Sequence, residues 1–190
     1  MGELVVALTG ATGSQYGLRL IERLCWETGI TVHLIVSPWA QRVLTEETGH
    51  NLEYWLSTFP QEKIQLHGFE DLDASISSGS YPIKAMVVIP CTMGTLGAIA
   101  AGLASNLIER AASVALKEKR PLILVARETP LSSIHLENML CLSHAGAMIL
   151  PPEPTFYQHP QTIIDIIDST VDRVLDVMDI CQNQTKRWRP

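Results

Sequence analysis

Short apolar runs separated by longer amphipathic stretches organise this chain. Leu4–Leu8, Val32–Val36, Ala85–Ile89, Leu122–Ala126 and Ala147–Leu150 are nearly continuous in aliphatic residues, as expected of strands buried on both faces. Helical periodicity falls between and after them, at Tyr16–Glu27, Trp39–Thr48, Thr95–Ala104, Leu107–Glu118, Ile134–Ser143 and Thr162–Met178. It is plainest in the last, where Ile163, Ile166, Ile167, Thr170, Val174 and Val177 fall on one face. Strand-helix alternation predicts βαβ units: a Rossmann-like parallel sheet with helices on both faces, in three α/β/α layers. Asn51–Tyr81 is the least regular segment and predicts loops with one short strand. Pro151-Pro152-Glu153-Pro154 stiffens the approach to the last helix. With no repeat or linker, residues 1–190 read as one domain, and only the tail 182–190 reads as peripheral.

Composition narrows the function classes. Of 190 residues, 46% are apolar and 18% charged, enough apolar material for a packed α/β core. The low charged fraction points to surface covered by sister subunits. A net charge of −6, from 20 acidic and 14 basic residues, argues against a general nucleic-acid binder. Any bound phosphate must therefore be held by local cations. Cys25, Cys91, Cys141 and Cys181 are far apart with no Cys-x-x-Cys, which reads as reduced thiols and neither a zinc site nor a redox pair. The six histidines lack ligand-like spacing, so no metal is expected. The start lacks a basic n-region and no apolar run spans a bilayer, which predicts a cytoplasmic protein.

Four segments carry candidate chemistry. The first is Leu8-Thr9-Gly10-Ala11-Thr12-Gly13-Ser14, between a strand and a helix. Its glycines permit a tight turn, and the helix start is expected to offer unpaired N–H groups to an anion. The spacing is not Gly-x-Gly-x-x-Gly, and the second strand ends in Ser37-Pro38 where a dinucleotide fold wants an acidic residue. NAD is therefore disfavoured and a mononucleotide such as FMN fits. The second, Pro90-Cys91-Thr92-Met93-Gly94-Thr95, offers a neutral hydroxyl and amide cradle for a ribityl chain or phosphate. Cys91 in it reads as a packed small residue rather than a nucleophile.

The third is the run from Lys117 to Asn138. Here Leu122–Ala126 opens into Arg127-Glu128 at a strand's carboxyl end, the side of a parallel sheet that faces ligand. Arg127 suits a bidentate phosphate contact and Glu128 proton handling. Lys117 by itself reads as a helix-end cation. The fourth is Pro151-Pro152-Glu153-Pro154-Thr155-Phe156-Tyr157 with the later Arg173, a hydroxyl donor and a guanidinium fork. No Gly-x-Ser-x-Gly elbow supports a serine hydrolase.

Together these segments resemble the flavin prenyltransferase family, the UbiX-type proteins formerly described as aromatic acid decarboxylases. The most specific stretches are Arg127-Glu128-Thr129-Pro130-Leu131 with Ile134-His135-Leu136-Glu137-Asn138-Met139, and Pro151-Pro152 with Phe156-Tyr157. The resemblance implies an HFCD-type flavoprotein fold and a homo-oligomer, typically a dodecamer, with sites where subunits meet. It implies metal-independent transfer of the dimethylallyl group of dimethylallyl monophosphate to N5 and C6 of reduced FMN. The prenylated FMN would serve a UbiD-type decarboxylase. Carried over by position, FMN is held by Gly10, Ala11, Thr12, Ser37, Thr92, Met93, Gly94, Thr95 and Arg127. The donor is met by Lys117, Arg127, Tyr157 and Arg173, with Ser78, Gly79 and Ser80 near and Trp188 covering from a neighbouring chain. Glu128, Lys117, Arg127 and Thr12 are the implied catalytic group. Thr12 departs from the family's usual Ser and adds a methyl.

Two alternatives stand beside this. An FMN-dependent decarboxylase of the cysteine-decarboxylase type would want Pro-x-Ala-x-Asn-Thr and a histidine on the first helix. The chain instead has Pro90-Cys91-Thr92-Met93 and no histidine there. A non-catalytic flavin carrier would not need Lys117, Glu128, Tyr157 and Arg173 together.

Overall fold

In the computed structural model, which describes residues 2–180, β1 (Glu3–Leu8), β2 (Thr31–Val36), β3 (Ile64–His67), β4 (Ala85–Cys91), β5 (Leu122–Ala126) and β6 (Met148–Ile149) form one sheet. The strand order is β3-β2-β1-β4-β5-β6, and every pairing is parallel. The aliphatic runs were legible because β1, β2, β4 and β5 are covered on both faces. β3 is the short strand expected within the irregular segment; it lacks the aliphatic pattern because it is an edge strand with Gln65 and Leu66 exposed.

Helices α1 (Ser14–Glu27), α2 (Pro38–Thr48), α3 (Leu52–Ser57) and α7 (Ile163–Val177) supply one face. Helices α4 (Met93–Ala100), α5 (Leu107–Lys117) and α6 (Ser133–His144) cover the other. Val171 and Val174 of α7 are fully buried against the first face, and Ala111, Ala112 and Ala115 of α5 let that helix lie close on the second. Each fully buried large aliphatic side chain contributes about 1.5–3 kcal/mol. Arg23 of α1, only 4% exposed, pairs with Glu27 at 2.6 Å and with Asp172 of α7 at 3.0 Å. α6 contributes little to the core. Only its Leu142 is buried, while Ile134, Leu136 and Leu140 lie exposed. The strand order reverses direction between β1 and β4, which opens a crevice at their carboxyl ends.

Candidate functional site

The crevice is laced by side chains that leave the strands at that reversal. Thr9 Oγ1 donates to the Pro90 carbonyl at 2.8 Å and accepts from the Thr92 amide at 2.8 Å, tying the ends of β1 and β4. Ser37 caps α2 by accepting from the Ala40 amide at 3.1 Å. Thr92 caps α4 by accepting from the Thr95 amide at 3.2 Å, and its hydroxyl lies 3.0 Å from that of Thr95. The Arg127 amide donates to the Cys91 carbonyl at 3.1 Å, which sets the end of β5 one residue from Thr92. Above these ends lies an open cleft of about 630 Å³, bordered by Gly10, Ser37, Thr92, Gly94 and Thr95. Gly10, Thr12, Gly94, Arg127 and Glu128 keep solvent-accessible surface, whereas Ala11 is nearly buried and Met93 turns its side chain into the core. Met93 can therefore meet a ligand only through its backbone at the start of α4. Cys91 is fully buried and burial pushes its thiol up to about 12, so it is a packing residue and no nucleophile.

The first turn differs from expectation at one point. The helix start at Gly13–Ser14 does not offer free N–H groups, because Glu47 of α2 already fills it. Its carboxylate accepts from the amides of Gly13 and Ser14, each at 2.8 Å, and from the hydroxyls of Thr12 and Ser14. Burial works against ionising Glu47, but these donors, Ser14 and Thr12 foremost, outweigh it and hold the group below the usual carboxylate value. Gly13 reaches this geometry at φ 105°, open to glycine at little cost. Glu47 escaped the sequence reading because it sits more than thirty positions from the turn it serves, on a different helix. Trp39, Asn106 and Glu109, which also border the cleft, were likewise missed; only Asn106-x-x-Glu109 left a trace, as an N-cap pattern.

The donor candidates do not gather around Arg127 within one chain. Lys117 ends α5, before the amino end of β5, while Arg127 follows its carboxyl end. The five-residue strand between them spans roughly 16 Å. The expectation that Lys117 stands beside Arg127–Glu128 is thus corrected for the single chain. Lys117 instead pairs with Glu118 against the Ser78–Ser80 turn, so tightly that a Cβ on Gly79 would overlap both charged groups. Ser78 and Ser80 hydroxyls lie 2.9 Å apart. Arg120 forks onto the carbonyls of Gly79 (2.8 Å) and Tyr81 (2.6 Å), and Arg110 donates to that of Ser77 (2.9 Å). Tyr157 and Arg173 form a third group at the β6 edge, on a cleft of about 410 Å³. There Arg173 pairs with Asp176 at 2.7 Å, and the buried hydroxyls of Thr155 and Thr170 have no hydrogen-bond partner. Trp188 and the tail 182–190 lie outside the described residues. His135 is engaged locally: its Nδ1 accepts from the Ser132 amide at 3.3 Å.

Fold and cleft together define a Rossmann-like α/β protein whose hydroxyl- and glycine-lined cradle suits a mononucleotide. The flavoprotein family model matches residues 2–186. A probable UbiX-like flavin prenyltransferase of Streptomyces sp. (strain D7) is 46% identical over 187 residues, covering 97% of this chain and 90% of the relative. The flavin prenyltransferase UbiX of Pseudomonas aeruginosa is 46% identical over 195 residues, covering 97% and 93%. Among solved structures, AnUbiX (PadA1) in complex with FMN and dimethylallyl pyrophosphate superposes with a TM-score of 0.93 at 42% identity, covering 100% of this chain and 98% of the other. The chain belongs to the flavoprotein family, among its UbiX-type flavin prenyltransferases. A dodecameric FMN-dependent UbiX-like decarboxylase from Escherichia coli O157:H7 matches with a TM-score of 0.92 at 43% identity, covering 99% and 100%. EpiD H67N complexed with the substrate peptide DSYTC, at 14% identity and a TM-score of 0.59, shares the fold alone.

Proposed function

We propose that this chain is a flavin prenyltransferase that joins the dimethylallyl group of dimethylallyl monophosphate to N5 and C6 of reduced FMN, releasing phosphate. The product, prenylated FMN, goes to a UbiD-type decarboxylase. The observation that carries the reading is a cleft lined by hydroxyl and glycine backbone groups, accompanied by cationic groups that simple flavin binding does not need. FMN is held by Gly10, Ala11, Thr12, Ser37, Thr92, Gly94, Thr95, Arg127 and the Met93 backbone. Reduced flavin supplies the electron-rich nitrogen and carbon that accept the prenyl group.

The chain's own residues act on the departing phosphate. As the allylic C–O bond breaks, negative charge grows on the phosphate oxygens, and Lys117, Arg127, Tyr157 and Arg173 stabilise it electrostatically. Holding donor and flavin in contact supplies the proximity term. Glu128, exposed at the carboxyl end of β5, handles the protons lost from the flavin and gained by phosphate. The cationic groups lie at three separate places on one chain, so the complete site forms where copies meet, in a homo-oligomer that we assign as a dodecamer. The exposed apolar side chains of α6 (Ile134, Leu136 and Leu140) supply surface for such contacts. No helix among the described residues is long and apolar enough to cross a membrane, and we place the protein in the cytoplasm.

The test is anaerobic incubation with reduced FMN and dimethylallyl monophosphate, or the diphosphate in parallel, followed by mass spectrometry of the flavin. A gain of one prenyl unit is expected with the monophosphate; unchanged flavin mass with both donors refutes the reading.

A further inference from the structure

The phosphate end of FMN meets a charge problem in this cleft. In the proposed reaction the flavin ring works beside Arg127 and Glu128, at the end of β5. Ser37, at the end of β2, lies three strands away, about 14 Å at the usual interstrand spacing. With the ring toward β5, the ribityl phosphate lies toward β2, at Ser37. The Ser37 hydroxyl accepts from the Ala40 amide and keeps its proton to donate. Yet among the described residues that border the cleft none is a lysine or arginine. The ionisable side chain there is Glu109, 8% exposed, whose carboxylate accepts from the Ser105 amide at 2.7 Å. A phosphomonoester carries close to two negative charges near neutral pH. In this cleft it faces a carboxylate and lacks a counter-charge.

Arg42 stands where one is needed. Its guanidinium carbon lies 5.7 Å from the centroid of the Trp39 ring, within cation–π reach. Trp39 borders the cleft beside Ser37, with 67% of its surface exposed. Its stem is fixed against the first glycine turn, since a Cβ on Gly10 would lie 2.6 Å from that of Trp39. Helical side chains lean toward the helix N-terminus, which carries Arg42 toward Trp39 and Ser37 and away from Glu46. Among the described residues, the Arg42 side chain has no ion pair or hydrogen bond, and its contact is the Trp39 ring. Arg19, Arg23, Arg120 and Arg173 are by contrast each engaged by carboxylates or carbonyls. A cation without a carboxylate, seated on the wall of an anion's cleft, is available to that anion.

We propose that Arg42, held over the Trp39 ring, is a cofactor-binding residue that neutralises the FMN phosphate and makes the site select the phosphorylated flavin over riboflavin. Trp39 is its positioning residue. This rests on the reading of the cleft as the FMN site of a prenyltransferase, and the experiment separates the two.

The full assembled protein, stripped of flavin, is titrated calorimetrically with FMN and with riboflavin at low and high salt. Arg42→Gln should weaken FMN binding about tenfold, the effect of losing one exposed charge-assisted contact. Riboflavin binding should change by less than about twofold, since it has no phosphate to lose. High salt should narrow the gap between wild type and variant. Arg42→Lys keeps the charge and should recover most of the FMN affinity. Trp39→Leu should also weaken FMN binding more than riboflavin binding, and adding Arg42→Gln to it should cost little more, because the two side chains act as one unit. Both are exposed, so thermal unfolding of the flavin-free variants should match wild type. Equal losses for FMN and riboflavin in Arg42→Gln, FMN affinity unchanged in that variant, or additive losses in the double variant overturn the proposal. No prenyl donor enters the assay, so prenyl transfer is scored apart. A chain that discriminates the two flavins through Arg42 but makes no prenylated flavin keeps the clamp and loses the prenyl-transfer reading. FMN binding insensitive to Arg42 in a chain that does make prenylated flavin overturns the clamp alone.

Discussion

Replacing Glu47 by Gln isolates the most unexpected contact of the site. The carboxylate collects four donors at the start of α1, two amides and two hydroxyls. Glutamine keeps one acceptor oxygen and turns an NH₂ group toward donors that then face another donor. A hydrogen bond to a charged acceptor is worth about 1.5–3 kcal/mol net, and a charge at a helix N-terminus about 0.3–1 kcal/mol. Because the group is half-open to water and one oxygen survives, a loss of about 2 kcal/mol is expected. For a domain of this size that lowers Tm by about 4–8 °C. Calorimetry near pH 7.5 measures it. The pH dependence adds a second check. Glu47's folded value is depressed, so its contribution is fully present above the unfolded value of 4.5 and is lost as pH falls through the lower folded value. Wild type and variant should therefore converge in acid. A Tm difference under about 1 °C near pH 7.5, or one that persists undiminished below the folded value, refutes the reasoning.

Three further outcomes are expected. Lys117→Ala and Arg127→Ala chains, each inactive alone, should regain activity when unfolded and reassembled together, because sites built across copies pair intact residues from different chains; a mixture as inactive as its parts argues for single-chain sites. Glu128→Gln should bind FMN normally while turnover falls at least about a hundredfold, the usual contribution of acid–base catalysis; full turnover removes Glu128 from the mechanism. Arg23→Met should cost about 2–4 kcal/mol in chemical denaturation, since it strands Asp172 in a partly buried place. Burial already raises Asp172, so that variant should recover stability as pH falls and the carboxyl takes up its proton; no recovery in acid refutes this account.

How much of this was legible depended on what each residue answers to. The doubly covered strands announced themselves as aliphatic runs, and the switch from β1 to the glycine turn was local enough to read directly. The edge strand β3 was legible only as a short strand without bounds, because half of it faces solvent. Thr92 could be placed in a cradle at a helix start because capping acts within one turn of helix, whereas Ser37 was read only as a strand end and its capping of α2 came from the structure. Glu47, Thr9 and His33 could not be placed, because their partners arrive through pairing and packing between elements. Nearness along the chain misled for Lys117 and Arg127, which a strand's length drives apart.

That separation has a consequence for the protein as a population of molecules. In the proposed site, a chain that keeps its flavin cradle and Arg127 at one end of the sheet, and Lys117, Tyr157 and Arg173 at the other end and at an edge, is not by itself the unit of activity. Specific activity should then fall on dilution before any chain unfolds. One damaged copy would also spoil sites belonging to undamaged neighbours, so activity should decline more steeply than the fraction of faulty chains rises.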